Sequence, residues 1–522
     1  MTRLLSAAWL LVLVTPLVAQ ADVKLPPILS SHMVLQRELP VPIWGTAAPN
    51  EKVTVKFRTQ EKTATANDKG DWSVKLDPLT AGGPDALTVS GANSLTLDDV
   101  LVGEVWIGSG QSNMAGRVNG YAKADPGLVK VVEAAPYPQI RLAQATGGWK
   151  VADKAGCEGF SAILLPFGVK LNQELKVPVG LMLGAVGGTP SGRWLSEEMY
   201  LADSLCQEQA KKGLAAYNPE KAKADYDTAV KKWEVATAAF NAEKAEKEEK
   251  KEAFAKKAPN KPQAPVEPGK IRGGRFGDLY AQHIEPMAPY AVRGVLWDQG
   301  ESHTAVEGVD QFAVMGALIK GWRKKWGIEF PFLSVQKPSG GGPAFDPADP
   351  VTNRADKFAP LPKDVPAAMT TYPMLHLKLR EHPQTFLVQA TDLGSGIHPS
   401  NKSGYGYRSA QVALGGVYGQ KVAIYGPTYK SHAVEEGTVR VKFDHVGKGL
   451  VHKHGDALQG FALAGSDGSF HWATAKIDGD SIILSSPAVP KPTAVRYAWS
   501  HPAPWANFFN ADGLPAVSFT TE

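Results

Sequence analysis

The order of apolar and polar positions divides the chain into distinct textures. Residues 22–97 carry short runs of strict alternation, Val53-Thr54-Val55-Lys56-Phe57 and Trp72-Ser73-Val74-Lys75-Leu76, with turn signals at Ala48-Pro49-Asn50 and Asp68-Lys69-Gly70. A period of two puts one face of each run inside and the other in water, which predicts a small antiparallel β module. Residues 426–522 repeat that texture in Thr438–Phe443, Ser481–Leu484 and Val495–Trp499, punctuated by Gly-Asp and Pro, and predict a β-sandwich-like module.

Between these ends the alternation gives way to continuous apolar runs at Val102–Ile107, Val179–Leu183, Val292–Trp297 and Phe332–Val335. Helical patterns separate them, as over Asp310–Trp322, where Phe312, Met315, Ile319 and Trp322 fall on one face. Strands buried on both sides and alternating with helices predict an α/β core with a mainly parallel sheet over residues 98–425. Functional residues in such sheets gather where the strands end. A charged insertion at about 207–270 interrupts the core. Asn218 and Pro219 read as its N-cap and first helical residue, Tyr226, Val230, Trp233, Thr237 and Phe240 form a stripe, and Pro259, Pro262, Pro265 and Pro268 end it. It is either a solvated helix packing on its own domain, the reading preferred, or an arm for a partner.

Composition changes this picture little. A chain of 522 residues, 43% hydrophobic and 21% charged, is globular and too long for one core. Its 56 basic and 52 acidic residues leave a net charge of +4, which supplies no argument for nucleic acid. Met1-Thr2-Arg3, the apolar run Leu4–Val18 and Ala19-Gln20-Ala21 read as a signal peptide over residues 1–21, cut after Ala21. That predicts a secreted or periplasmic protein without a membrane partner once the peptide is removed. Cys157 and Cys206 are the only cysteines, either a disulfide or two thiols. The histidines show no ligand spacing, so neither a metal nor a cofactor is expected.

The segment Val105-Trp106-Ile107-Gly108-Ser109-Gly110-Gln111-Ser112-Asn113-Met114 carries the chemical signal. A buried strand runs into glycines that permit a tight turn, and Ser112 then stands before a chain about to turn helical. Free backbone N–H groups and a positive helix end beside a serine suit a nucleophile whose attack creates an oxyanion.

Gly110-Gln111-Ser112-Asn113-Met114 closely resembles the nucleophile motif of the sialate O-acetylesterase family within the SGNH (GDSL-like) hydrolases. Further blocks are similar in the same order: Phe160-Ser161-Ala162, Val177–Leu181 through Gly187-Gly188-Thr189-Pro190, Arg293–Trp297 with Asp298-Gln299-Gly300-Glu301-Ser302, and Asp392-Leu393-Gly394 followed by Ile397-His398-Pro399-Ser400-Asn401-Lys402. Met33–Arg37 and Val41–Gly45 look like the family's opening. The resemblance spans roughly residues 29–415, apart from the helical insertion and the Pro/Gly-rich Ser339–Pro366.

The resemblance implies a three-layer α/β/α core and a carbohydrate O-acetylesterase acting on an O-acetylated sugar or glycan through a serine acyl-enzyme. Ser112 would attack and His398 would carry the proton. Ser112 N–H, Gly188 N–H and the Gln299 amide would hold the oxyanion. Glu301 and His303 in the matching block would be substrate-binding candidates, Glu301 either a catalyst or a structural partner. Apart from the resemblance, Trp194 beside Arg193 after the Gly-Gly-Thr-Pro turn is a candidate to stack on a sugar, and Arg193 to meet either a sialic acid carboxylate or a neighbouring Asp or Glu. SGNH enzymes commonly place an Asp two or three residues before the His, where Ser395 and Gly396 stand here. Asp392 is the nearest carboxylate, so either the loop folds back to bring it to the imidazole, the reading preferred, or a backbone carbonyl orients His398 in a Ser–His dyad. His303 and Asp298 also depart from the family's usual Asn and aromatic. An acetylxylan or other polysaccharide esterase on the same scaffold, and a catalytically impaired carbohydrate-binding scaffold, are the rival readings.

Overall fold

A computed structural model of the chain describes residues 22–336, 345–355, 357–366, 371–500 and 502–522. The expected signal peptide over residues 1–21 lies outside the described residues. So does part of the Pro/Gly-rich stretch. No helix among the described residues is long and apolar enough to cross a membrane.

The alternating N-terminal runs become strands as their pattern requires. In order they are β1 (Val34–Gln36), β2 (Val41–Thr46), β3 (Lys52–Phe57), β4 (Gln60–Thr65), β5 (Asp71–Leu76) and β6 (Gly82–Ser90). Val53, Val55 and Phe57 of β3 and Trp72, Val74 and Leu76 of β5 point into one core with Val41 and Ile43, while the residues between them face water or lie half-covered.

The next strand, β7 (Ser94–Gly110), belongs to two sheets. Its first half alternates and pairs antiparallel with β6; from Val100 onward every residue is buried. That second half lies at the centre of a parallel array completed by β8 (Tyr137–Gln144), β9 (Lys150–Ala152), β10 (Val179–Ala185), β11 (Gly294–Asp298), β12 (Phe332–Val335) and β13 (Thr385–Val388). The order is β13-β12-β11-β7-β10-β8-β9, parallel throughout except for β9 at one edge. The four apolar runs fall on β7, β10, β11 and β12. Strands β8 and β13 were not legible, β8 because Tyr137-Pro138-Gln139 and Arg141 interrupt its apolar run and β13 because it has only 4 residues.

Helices cover both faces. Val295 and Trp297 of β11 pack with Val314, Leu318 and Trp322 of the helix Gln311–Trp326, whereas Leu296 between them packs in a second core with Leu164, Phe167 and Leu171 of Leu164–Leu175 and Tyr405 and Ala413 of Lys402–Gly416. Cys206 lies in the first core and Cys157 in the second, both buried as free thiols, so the two do not form a disulfide. Burial, with Asp153 and Glu158 nearby, pushes the Cys157 thiol up to about 12.

The charged insertion is the helix Pro219–Glu249, with the Asn218 side chain accepting from Lys221 N–H at its N-terminus and no residue buried along its length. Its stripe packs on its own return chain. Trp233 Nε1 donates to Pro259 O at 3.0 Å, Lys261 lies over the Trp233 ring, and Phe240 meets Phe254 edge-on. The C-terminal region is β-rich, with four-stranded sheets built from Thr428–Glu435, Thr438–Asp444, Ser481–Ser485 and Thr474–Asp478, and from Phe470–Trp472, Phe461–Ala464, Ala494–Tyr497 and Phe519–Thr520. Val441, Phe443, Phe461, Ile482, Tyr497 and Phe519 share its core. It docks beside the end of β13 through Gln389, just past that strand, which donates to Pro515 O and accepts from Gly426 N–H.

Candidate active site

Parallel strands β7, β10, β11 and β13 all end at one edge of the sheet, and the expected site residues follow those ends. Gly110 pairs with Ala185 on one side and Asp298 on the other. It adopts φ +127°, and a Cβ there would collide with the Asp298 carbonyl oxygen, so only glycine fits. Gln111 N–H donates to Asp298 O at 2.9 Å and Val186 N–H to Gly110 O at 3.1 Å, which staples the turn to both neighbouring strands. Ser112 then begins the single helical turn Ser112–Ala115, where its N–H has no intrahelical acceptor.

His398 arrives from the loop after β13, an exposed residue just ahead of the N-cap Asn401, whose side chain accepts from Gly404 N–H. Across a separation of 286 positions, His398 Nε2 and Ser112 Oγ share a hydrogen bond of 2.8 Å. With its proton on Nδ1, Nε2 is the acceptor, the arrangement in which an imidazole takes a hydroxyl proton as the oxygen attacks. Gly187 lies against Ser112, and Gly188 beside it has φ +70° with an N–H that donates to no acceptor among the described residues.

Other expected residues are placed differently. Asp392 is buried and forms a bidentate pair with Arg408, at 3.2 and 2.9 Å, and no hydrogen bond joins it to His398 among the described residues. The loop therefore does not fold back onto the imidazole, because a buried guanidinium takes both carboxylate oxygens. Gln299 is not an available oxyanion donor. Its Nε2 donates to the carbonyls of Thr189 and His303, at 3.3 and 3.0 Å, and its Oε1 accepts from Gln311. Trp194 is fully buried, donates to Thr189 Oγ1 and packs edge-on against Trp297, so it offers no face to a sugar. Arg193, next to it, points the other way into a bidentate pair with Asp278, the shortest contact 2.7 Å. Burial opposes the Asp278 charge, yet the Arg193 hydrogen bonds hold its carboxyl below the ordinary value.

Glu301 stands behind the Ser112 turn. Its Oε2 accepts from Gln111 Nε2 at 2.5 Å and its Oε1 from Asn113 Nδ2 at 3.4 Å, so one carboxylate engages the residues on both sides of Ser112. That is the structural-partner alternative. His303 is exposed at the same sheet edge with φ +53°, its carbonyl accepting from Ser191 N–H and Gln299. Gln111, Asn113 and Lys402 are site residues that the sequence reading does not assign a role. Their signal was position alone, flanking the serine or following the histidine. Among the described residues no cluster of three or more His, Cys, Asp or Glu is arranged to hold a metal ion.

Comparison with known proteins places the chain among carbohydrate esterases. Residues 102–240 match the family model of carbohydrate esterases described as sialic acid-specific acetylesterase. The sialate O-acetylesterase of Rattus norvegicus is 27% identical over 551 residues, covering 94% of this chain and 93% of that protein. That of Homo sapiens is 26% identical over 459 residues, covering 78% and 75% respectively. The crystal structure of a carbohydrate acetylesterase from Xanthomonas citri superposes with a TM-score of 0.71 at 30% identity, covering 96% of this chain and all of that one. The chain belongs to the sialate O-acetylesterase family of carbohydrate esterases.

Proposed function

We propose that this esterase removes O-acetyl groups from sugars, sialic acids among them, through an acyl-enzyme on Ser112. Oγ bonds to the acetyl carbonyl carbon while its proton passes to His398 Nε2, and the carbonyl electron pair moves onto oxygen between the N–H groups of Ser112 and Gly188. Collapse of that intermediate breaks the bond to the sugar oxygen, which takes the proton from Nε2. Water then repeats the sequence and releases acetate. With Asp392 committed to Arg408, we read the pair as a Ser–His dyad. The 2.8 Å hydrogen bond between Ser112 and His398 carries the reading.

We further read the core, residues 98–425, as an SGNH-type α/β/α hydrolase domain carrying the insertion at about 207–270, between β-sandwich-like modules at 22–97 and 426–522. The opening 21 residues are read as an export signal, with a secreted or periplasmic location. The test is acetate release by purified protein. Hydrolysis of p-nitrophenyl acetate that is lost in Ser112→Ala is expected, and hydrolysis that survives the substitution refutes the mechanism. Faster acetate release from 9-O-acetylated sialic acid than from acetylated xylan supports the sialate substrate, and the reverse order replaces it with a polysaccharide.

A further inference from the structure

We infer that Lys402 and Asn113 form the positioning device that holds His398 against Ser112, an inference that rests on the reading of those two as the reacting pair. Lysine is among the residues least often fully buried, because its ammonium loses its water. Lys402 has none of its surface exposed. Its Nζ donates to Asn113 Oδ1 and faces the rings of Tyr121, at 4.6 Å from the centroid, and Tyr405, at 5.9 Å.

Asn113 is equally buried, and the other end of its amide is also taken. Nδ2 donates to Ile397 O at 3.0 Å and reaches Glu301 Oε1 at 3.4 Å. An amide's oxygen and nitrogen are nearly the same size, so shape alone does not decide which way it points. Here a cation selects the oxygen, and a carboxylate with a carbonyl selects the nitrogen. The amide is therefore fixed with its donor aimed at Ile397, the residue immediately before His398.

That tether matters because of what it restrains. Ser395 to His398 are exposed, and Gly394 and Gly396 on the way have φ +126° and +84°, conformations that give the loop little stiffness of its own. Lys402, by contrast, has a rigid mount. Asn401 caps its helix and donates to Val351 O, and Ser403 donates from both N–H and Oγ to buried Asp125, at 2.8 and 2.7 Å. Lys402 thus orients Asn113, Asn113 holds Ile397, and the histidine follows. A misplacement near 1 Å costs about 100-fold in rate when the groups involved must meet in line.

The test uses the full chain with p-nitrophenyl acetate, reading kcat and KM separately alongside the melting temperature. Lys402→Met and Asn113→Ala are each expected to lower kcat about 10- to 100-fold with KM within about threefold. The double variant is expected to be no worse than the weaker single one, since the two act in series. Lys402→Gln, which keeps a donor for Asn113, should recover part of the loss. Multiplying effects, or a kcat per folded molecule within twofold of the parent, overturn the inference. Should Lys402→Met fail to fold, Asn113→Asp decides, because it keeps the acceptor for Lys402 and replaces the donor to Ile397 and Glu301 by a carboxylate oxygen; full activity there overturns the inference. Activity surviving in Ser112→Ala would sink the catalytic reading, whereas an inactive Ser112→Ala beside a fully active Asn113→Asp sinks this inference alone.

Discussion

The edge of the sheet around Ser112 and the helical insertion are both rich in charged and polar side chains, and they use them in opposite ways. Along Pro219–Glu249 the pairs Lys221–Asp225 and Lys223–Asp227 close at 2.7 and 2.6 Å, one turn apart and in water. Such pairs add only tenths of a kcal/mol and leave their side chains free to exchange partners. Around Ser112 the charged groups are few, but Lys402, Asn113 and Gln111 are shielded from solvent, where an unmet hydrogen bond is expensive and orientation is therefore enforced. Polar content says little about function. Whether water can replace a partner decides whether a polar group positions its neighbour or merely dissolves.

The comparison is tested most severely at the histidine. His398→Ala should reduce kcat/KM on the order of 10⁴-fold or more, measured on p-nitrophenyl acetate, with the melting temperature little changed because the ring is exposed. Asp392→Asn should behave in the opposite way. It leaves Arg408 a buried cation without its carboxylate and is expected to lower stability by about 3–5 kcal/mol in urea unfolding. The kcat of the folded fraction should stay within a few-fold, and a loss near that of His398→Ala would restore Asp392 to a triad. Glu301→Gln falls between the two. An amide in place of the carboxylate removes an acceptor from either Gln111 or Asn113, and a loss of about 10- to 100-fold in kcat is expected from weakening a charge-assisted bond.

A smaller effect separates structure from chemistry by pH. His382 stacks on Phe312 with ring centroids 4.1 Å apart, and burial holds its pKa below the ordinary value. A group whose folded pKa is depressed binds its proton more readily when unfolded, so stability should fall as pH drops through about 6.5 and below. His283, His445 and His454 shift in the same direction by burial and add to the trend. Urea midpoints at pH 7.5 and 5.5 should differ less in His382→Gln than in the parent. An unchanged difference would show that His382 contributes none of it.

The parts of the site legible in the sequence are those governed by covalent neighbours. Ser112 sits at a strand-to-helix turn because glycines precede it, and β7, β10, β11 and β12 are continuous apolar runs. What the sequence leaves open depends on partners far along the chain. Arg193 and Trp194 are adjacent, yet the 3-10 turn Ser191–Trp194 sends one out to Asp278 and the other in to Thr189 and Trp297. Gln299 stands where a side-chain donor was expected, but the Thr189 and His303 carbonyls claim its amide. Asp392 has the right chemistry and a nearer partner in Arg408, one helix turn away from Tyr405 in a segment that no local pattern singles out. Glu301 and Lys402 lie in recognised blocks, and only burial reveals that they work on the serine's neighbours.

The weakest expected effect sharpens the comparison from the other side. If the insertion's charges are simply solvated, its removal should not reach the site. The geometry makes the removal feasible, because the arm leaves and rejoins the body at one place: Pro268 packs against Gly213, and Gly269 lies beside Ala210. The stripe residues Trp233 and Phe240 are satisfied within the arm by Pro259, Lys261 and Phe254, so cutting it off exposes no apolar face of the core. Replacing residues 218–266 with a short Gly/Ser linker closes a loop whose ends are already adjacent, at little entropic cost. The kcat/KM for p-nitrophenyl acetate is expected to stay within twofold and the melting temperature within a few degrees. A fall of tenfold or more would mean that the exposed helix communicates with the strand ends after all, and that burial alone does not separate the two regions.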